Sequence, residues 1–221
     1  MNGDESPGSK RDKLIQRKQE WAAEGRLLTG RTSSREVDRL PPGQRLVQNW
    51  PVLDLGVHPK IPRDKWRLIV SGLVQQNLRL DWAGFEALPQ SESVSDIHCV
   101  TSWSRYDNHW RGVLLRDLLQ VVQPLPEAQH VVLTSYDTYT TNVPLAEFAD
   151  ADVLLATHWQ GQELTVEHGG PLRVVVPKLY FWKSAKWLKR IDFVATDKPG
   201  FWETRGYHNH GDPWTEERYD D

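Results

Sequence analysis

Cys99 is the only cysteine in 221 residues, and it stands in the stretch SDIHCVTSWSRYDNHWRGV, from Ser95 to Val113. His98, Ser102, Ser104, Arg105, His109 and Arg111 surround it in sequence, a polar and cationic setting that lowers a thiol's pKa toward the reactive thiolate. Three chemistries are open to such a sulfur. It can be an inert, buried, small hydrophobe. It can be a nucleophile with His98 or His109 as its base, although adjacent side chains of a strand point to opposite faces and this weakens His98. It can also be a thiolate ligand to a soft metal.

A second group of residues lies in HGGPLRVVVPKLYFWKSAKWLKRI, from His168 to Ile191, which has six lysines or arginines and no aspartate or glutamate. Arg173, Lys178, Lys183 and Lys186 alternate there with Tyr180, Phe181, Trp182 and Trp187, the pattern of a single-stranded nucleic-acid groove. The same residues suit a small phosphorylated ligand. Arg173 offers a bidentate fork, and the turn Ser184-Ala185-Lys186 offers backbone N–H groups and an ammonium. A plain basic surface loop is the third possibility. In the tail, YHNHGD puts His208 and His210 two apart, as a metal pair or as an ordinary Asn/Gly/Asp turn.

Composition narrows the classes. A net charge of -3 gives no long-range attraction for polyanions, so any anion site must be local. One cysteine excludes an intrachain disulfide framework and any multi-thiolate zinc or iron–sulfur centre. No apolar run reaches the roughly 18 residues of a membrane helix, and the opening MNGDESPGSKRDKLIQRKQEW has neither an apolar signal core nor a twin arginine, so a cytoplasmic protein without a membrane span is expected. Eleven tryptophans are read mainly as core and lid packing, and only secondarily as the lining of a cofactor site.

The elements that must position these residues follow from periodicity and turn chemistry. Residues 1–40 read as an N-terminal tail, disordered over Met1 to Gly8, with a charged helix over Ser9 to Leu27 whose basic face is solvated. Residues 41–221 read as one globular domain. Strands are expected at Arg67 to Val74 and Asn77 to Trp82 as a hairpin, at Val94 to Val100 carrying Cys99, at HVVLTSY, at ADVLLATHW, and at Leu172 to Pro177, which is apolar on both faces and therefore buried. Ile191, Phe193 and Ala195 mark a last, half-exposed strand, and Thr101 to Trp110 is expected as a loop. Helices are expected at WAGFEAL capped by Asp81, at Gly112 to Val122 with Leu115, Leu118, Leu119 and Val122 on one face, and at PLAEFA with Pro144 in its first turn. Many short strands with a few short peripheral helices, not regularly alternating, imply a mixed, strand-rich α+β domain. There is no repeat, no glycine-rich dinucleotide loop and no Walker motif.

HCVTSWS around Cys99, then HGGPLRVVVP, KSAKWLKRI and GFWETRGYHNHGDPW, in that order between about Gln44 and Tyr219, resemble the sulfite oxidase-like molybdopterin oxidoreductase superfamily. The resemblance implies that Cys99 is the protein's thiolate ligand to molybdenum, the other sulfurs coming from one molybdopterin. It implies that the pterin and its phosphate are held by His168, Arg173 and Ser184, Ala185 and Lys186, with Ser135 and the stretch of Asn49, Pro51 and Val52 as further contacts. It also implies oxygen-atom transfer on a small, sulfur-containing substrate, with Arg105, Tyr207 and His208 facing the open coordination position. Sulfite oxidases follow their cysteine with Asn-Arg-Arg, whereas VTSWSRYD here is closer to the bacterial sulfoxide-reducing branch. Neither a haem domain nor an immunoglobulin-like domain has a counterpart in this chain, which implies a separate electron-transfer partner. The competing expectation is a single-stranded nucleic-acid-binding module built on residues 168–191.

Overall fold

The computed structural model describes residues 10–23 and 39–220. Two sheets share one interior. The first has the order β3-β2-β11-β6-β7, with β2 (Leu68–Gly72), β3 (Leu78–Leu80), β6 (His130–Ser135), β7 (Thr140–Pro144) and β11 (Leu188–Val194). Only β2 and β11 run parallel in it. The second sheet is organised on the long β5 (Trp103–Leu114), which pairs with β1 (Arg45–Leu46), β4 (Ser91–Cys99) and β8 (Leu154–Trp159). Strand β8 continues to β9 (Gln162–Glu163) and β10 (Arg173–Val175).

Strand β10 and the first four residues of β8 are buried on both faces, which suits their mainly apolar sequence and makes Arg173 in β10 the exception. Alternate residues divide between two cores. Val113, Leu155 and Val174 join the cluster shared with the first sheet, while Leu114, Leu154, Ala156 and Val175 face a second cluster with Trp50, Ile97, Cys99, Tyr180, Trp202 and Tyr207. Three helices are short: α2 (Trp82–Glu86), whose N-terminus is capped by the Asp81 carboxylate on Gly84 N at 2.8 Å, α3 (Leu115–Val122) and α4 (Leu145–Phe148). In α3, Leu115, Leu118 and Val122 are buried as the helical spacing requires, but the helix begins at Leu115 because Gly112 to Leu114 complete β5.

The expected loop at Thr101 to Trp110 is instead a turn followed by strand. Ser102 adopts φ 66, its N–H bonds the Cys99 carbonyl at 3.0 Å, and β5 starts at Trp103. Its inward residues include Ser104 and Asn108, both 0% exposed, so the apolar alternation that marks a strand is missing. Asn108 is satisfied by the Ser95 and Arg105 carbonyls and by the indole N–H of Trp159.

Helix α1 (Lys10–Ala23) is the described part of the expected N-terminal helix; the expected disorder over Met1 to Gly8 and the stretch to Leu27 lie outside the described residues. It is docked. Ile15 enters the second cluster, the Gln19 side chain donates to the Arg205 carbonyl at 2.6 Å, and the Tyr219 hydroxyl donates to the Gln19 carbonyl at 3.0 Å. Among the described residues no helix is long and apolar enough to cross a membrane.

Candidate active site

Cys99 ends β4 and opens into a cavity between the second cluster and the start of β11. Its side chain is 7% exposed, and its Sγ lies 3.1 Å from the Thr101 hydroxyl. Burial pushes the thiol pKa up; the Thr101 hydrogen bonds, then Lys18 and Arg218, pull the other way without reversing it. The expectation of a thiol drawn toward thiolate by neighbouring cations is therefore corrected, because desolvation of the anion outweighs them. Such a sulfur ionises when a metal takes the place of its proton.

The nucleophile reading loses its base. His98 is buried with Nδ1 2.8 Å from the Ser104 hydroxyl, and burial lowers its pKa to about 4. His109 is exposed and pairs with Val94, five residues back along β4 from Cys99, about 16 Å at the rise of a strand.

Across the cavity, β10 presents Arg173, 1% exposed. Its guanidinium sits 4.2 Å from the Phe181 ring centroid and 5.2 Å from that of Trp50. Its donors go only to carbonyls, of His168 at 2.8 Å, Ser184 at 2.9 Å and Val174 at 3.3 Å. Without a carboxylate partner, burial lowers its pKa to about 9. Lys186 donates to the Glu167 carbonyl at 2.6 Å, and burial, reinforced by Arg173, lowers its pKa to about 7. His168 stacks on Trp50 at 4.0 Å and is held near 4, mainly by burial, so it is a neutral ring. Gly169, at φ 102, lets Lys186 approach; a Cβ there would lie 2.9 Å from the Lys186 Cβ. Ser135 Oγ is buried on the same wall without a hydrogen-bond partner.

One buried guanidinium and one half-buried ammonium, neither in an ion pair, stand with one buried hydroxyl that has no partner, a donor set that is costly to desolvate unless an acceptor is shared among them. An anion with several oxygens would satisfy all three. A phosphorylated cofactor carrying a soft metal fits both ends of the cavity, the donors here and the sulfur of Cys99 opposite.

Pro51, Ser135, His168, Arg173, Ser184, Lys186 and Tyr207 line the cavity with Cys99. Tyr207 is 2% exposed, packed on Trp202 at 4.8 Å and Trp182 at 5.2 Å, and burial holds its hydroxyl protonated. Other expected contacts fall outside. Arg105 turns away, donating to the Gln48 carbonyl at 3.1 Å and Asn108 Oδ1 at 2.6 Å over the Trp159 ring. His208 accepts from the backbone N–H groups of His210 and Gly211 at 3.2 Å and braces the tail. Ala185 is packed in the first core, and neither Asn49 nor Val52 lines the cavity.

Lys183 is 0% exposed, bound to Glu203 at 2.7 Å and to the carbonyls of Asn142 and Asn209. Arg173, Tyr180 and Trp187 are buried too, so these members of the basic aromatic run are not displayed for base stacking, which weighs against the nucleic-acid reading. Among the described residues no cluster of three or more His, Cys, Asp or Glu could hold a metal, which removes the His208–His210 pair as a centre of its own. Sequence reasoning missed Lys18, Asp54, Thr101, Trp103, Asp137 and Tyr139, all of which line the cavity. Lys18, Asp54, Asp137 and Tyr139 come from separate segments and carry no local motif, whereas Thr101 and Trp103 stand inside HCVTSWS but are of types that local reading gives to a turn and to packing.

The model of the oxidoreductase molybdopterin binding domain matches residues 55–202. The chain is 46% identical over 195 residues to the uncharacterized oxidoreductase YuiH of Bacillus subtilis (strain 168), covering 87% of this chain and 98% of that protein. It is 31% identical over 144 residues to the putative protein-methionine-sulfoxide reductase subunit YedZ1 of Azospira oryzae, covering 65% of this chain and 54% of that protein. It is 28% identical over 178 residues to the sulfite oxidase of Arabidopsis thaliana, covering 64% of this chain and 45% of that protein. The chain thus spans nearly all of YuiH and about half of the other two. Among solved structures, the sulfane dehydrogenase SoxCD of Paracoccus pantotrophus has the same fold, with a TM-score of 0.57 at 21% identity over 63% of this chain and 40% of that one. With a single buried thiol facing unpaired cations across one cavity, the chain belongs to the sulfite oxidase-like family of molybdopterin-binding oxidoreductases.

Proposed function

We propose that this oxidoreductase transfers an oxygen atom to or from a small sulfur compound, a sulfoxide or a sulfite-like anion, and exchanges the two electrons with a separate partner. The carrying observation is the pairing, in one cavity, of a desolvated lone thiol with a buried guanidinium, Arg173, and a half-buried ammonium, Lys186, neither bonded to a carboxylate. Cys99 would ligate the metal. Arg173, Lys186, Ser135 and His168 would hold the pterin phosphate, Ser184 would fix the turn through Val176 N at 2.9 Å, and Tyr207 would offer its O–H to a polar oxygen. Bound molybdenum supplies the two-electron oxygen-atom chemistry, and the protein supplies ligation, orientation and exclusion of water. The names of YedZ1 and of the plant sulfite oxidase support sulfur as the reacting element. A free thiol is compatible with a reducing compartment, and the cytoplasm is the proposed location.

Metal analysis and fluorescence of the oxidised pterin released by acid should find both components together in the purified protein. Cys99→Ser should keep the fold, lose turnover with reduced viologen and sulfoxides or with sulfite and ferricyanide, and release its metal. Full activity in Cys99→Ser would refute the ligand assignment. Arg173→Ala should lower pterin occupancy.

A further inference from the structure

Helix α1 lies outside residues 55–202, which the family model matches, yet it joins two segments that line the cavity. On one flank Leu14 meets the segment of Leu53, Asp54 and Leu55: a Cβ on Gly56 would lie 3.5 Å from Leu14 Cδ1, and the Gly56 N–H holds the Asp54 carboxylate at 2.7 Å. On the other flank Gln19 is bonded at its side chain to the Arg205 carbonyl and at its own carbonyl to the Tyr219 hydroxyl, beside Trp202 and Tyr207 of the lining. Between the flanks Ile15 is packed in the second core, and Lys18 lines the cavity itself.

The flank that carries Lys18 is the one next to Lys186. Asp54 is bonded to His58 at 2.7 Å, the His58 ring lies 5.9 Å from the Trp187 ring, and the Lys186 ammonium lies 5.1 Å from that same ring. Leu14 touches this segment, and Lys18, four residues on, shares its helix face. Lysines on a helix normally carry their charge out to water, as the exposed Lys13 and Arg17 do. Lys18 is instead half-buried, and its ammonium makes no hydrogen bond or ion pair among the described residues. Neither acid of the lining neutralises it: Asp54 is held by His58 and Gly56 N, and Asp137 accepts from the Tyr139 N–H at 3.1 Å. The lining therefore holds three cations without an ion pair, Arg173, Lys186 and Lys18, together with the unpartnered Ser135 hydroxyl. A phosphate monoester, with nearly two negative charges and three acceptor oxygens, matches that set better than a single anion-binding pair would.

We propose that Lys18 is a cofactor-binding residue, the third cation on the pterin phosphate beside Arg173 and Lys186, and that α1 is thereby part of the cofactor site although it stands outside the family's common domain. This rests on the reading of the cavity given under Proposed function. A desolvated ammonium–phosphate contact is worth on the order of tenfold or more in affinity.

The test uses the full chain purified from cells that make molybdopterin, as wild type and as Lys18→Met, Lys18→Arg and Lys13→Met, the last removing an exposed charge from the same helix. Acid-released pterin and molybdenum are measured at purification and at intervals after dilution and removal of whatever has dissociated. Lys18→Met should lose pterin about tenfold faster or more, Lys18→Arg should stay within about threefold of wild type, and Lys13→Met should match wild type. Thermal unfolding of the cofactor-free proteins supplies the second measurement: Lys18→Met should unfold at the wild-type temperature or above it, because it removes a half-buried charge that has no partner. Pterin retention in Lys18→Met equal to wild type overturns the proposal, and with a raised KM for sulfite or dimethyl sulfoxide it would make Lys18 a substrate contact. Cofactor-free Lys18→Met that unfolds below wild type also overturns it, since Lys18 would then be structural. A wild-type protein that holds no pterin overturns both this proposal and the proposed function. Lys18-dependent retention of pterin in a protein that turns over neither sulfite nor any sulfoxide would overturn the proposed reaction and leave the Lys18 assignment standing.

Discussion

His210 is held between two carboxylates, Glu147 on Nε2 and Glu217 on Nδ1, each at 2.6 Å, and so ties α4 to the C-terminal tail. Lys178 stands 3.5 Å from Glu147, and His208 3.3 Å from Glu217, completing the charged surroundings. The Glu147 hydrogen bond, partly opposed by burial and then joined by that of Glu217, raises the His210 pKa from 6.5 to about 9. Taken at face value that displacement is about 3 kcal/mol. With the side chain 34% exposed, solvent screening reduces the contribution to about 1–2 kcal/mol. A raised pKa means the folded state holds the proton more tightly, so the stabilisation is complete below pH about 6.5 and drains away as pH rises through about 9. For a domain of this length, about 1–2 kcal/mol corresponds to about 3–6 °C in Tm. Thermal unfolding of wild type from pH 6 to pH 10 should show that decline, whereas His210→Gln should start lower at pH 6 and be flatter by the same amount. Equal slopes in wild type and His210→Gln would refute the clamp.

Glu203→Ala should cost about 3–5 kcal/mol in denaturant unfolding, because it strands the fully buried Lys183 charge and also removes the acceptor for Thr141 at 2.7 Å and the Trp182 indole at 3.0 Å. Gly112→Ala should leave the protein insoluble or lose hydrogen-exchange protection along β5 and β8, since a Cβ would lie 2.0 Å from the Leu155 carbonyl oxygen, which cannot move without opening the pairing. Ser135→Ala should leave the stability of the cofactor-free protein unchanged or slightly raised, because the hydroxyl it removes is buried and unpaired, while lowering pterin occupancy; a large loss of stability would show the hydroxyl to be structural.

Residues that share a short motif are legible in the sequence itself. His168, Arg173, Ser184 and Lys186 lie within one run, and they do meet at one wall. What the sequence does not do is tell neighbours of one type apart. Lys183 and Lys186 are three residues apart in an acid-free run, yet one is neutralised by Glu203 and buried in the core while the other lines the cavity without a carboxylate bond. The deciding partner comes from a later segment, and nothing local announces it. Strand β5 is masked for a related reason: its buried positions at Ser104 and Asn108 are polar and satisfied by other strands, so the alternation that signals a strand is hidden until the pairing exists. Arg105 is close to Cys99 in sequence, which suggests a place in the site, but in β5 its side chain leaves by way of Gln48 and Trp159.

The placement of the cavity's cations is not arbitrary with respect to rigidity. Arg173 is rooted in a strand buried on both faces and is fixed by three carbonyls, and Lys186 is wedged against Gly169. A cofactor that must stay bound through many turnovers needs such immobile donors, since any freedom left in them would be lost again on binding.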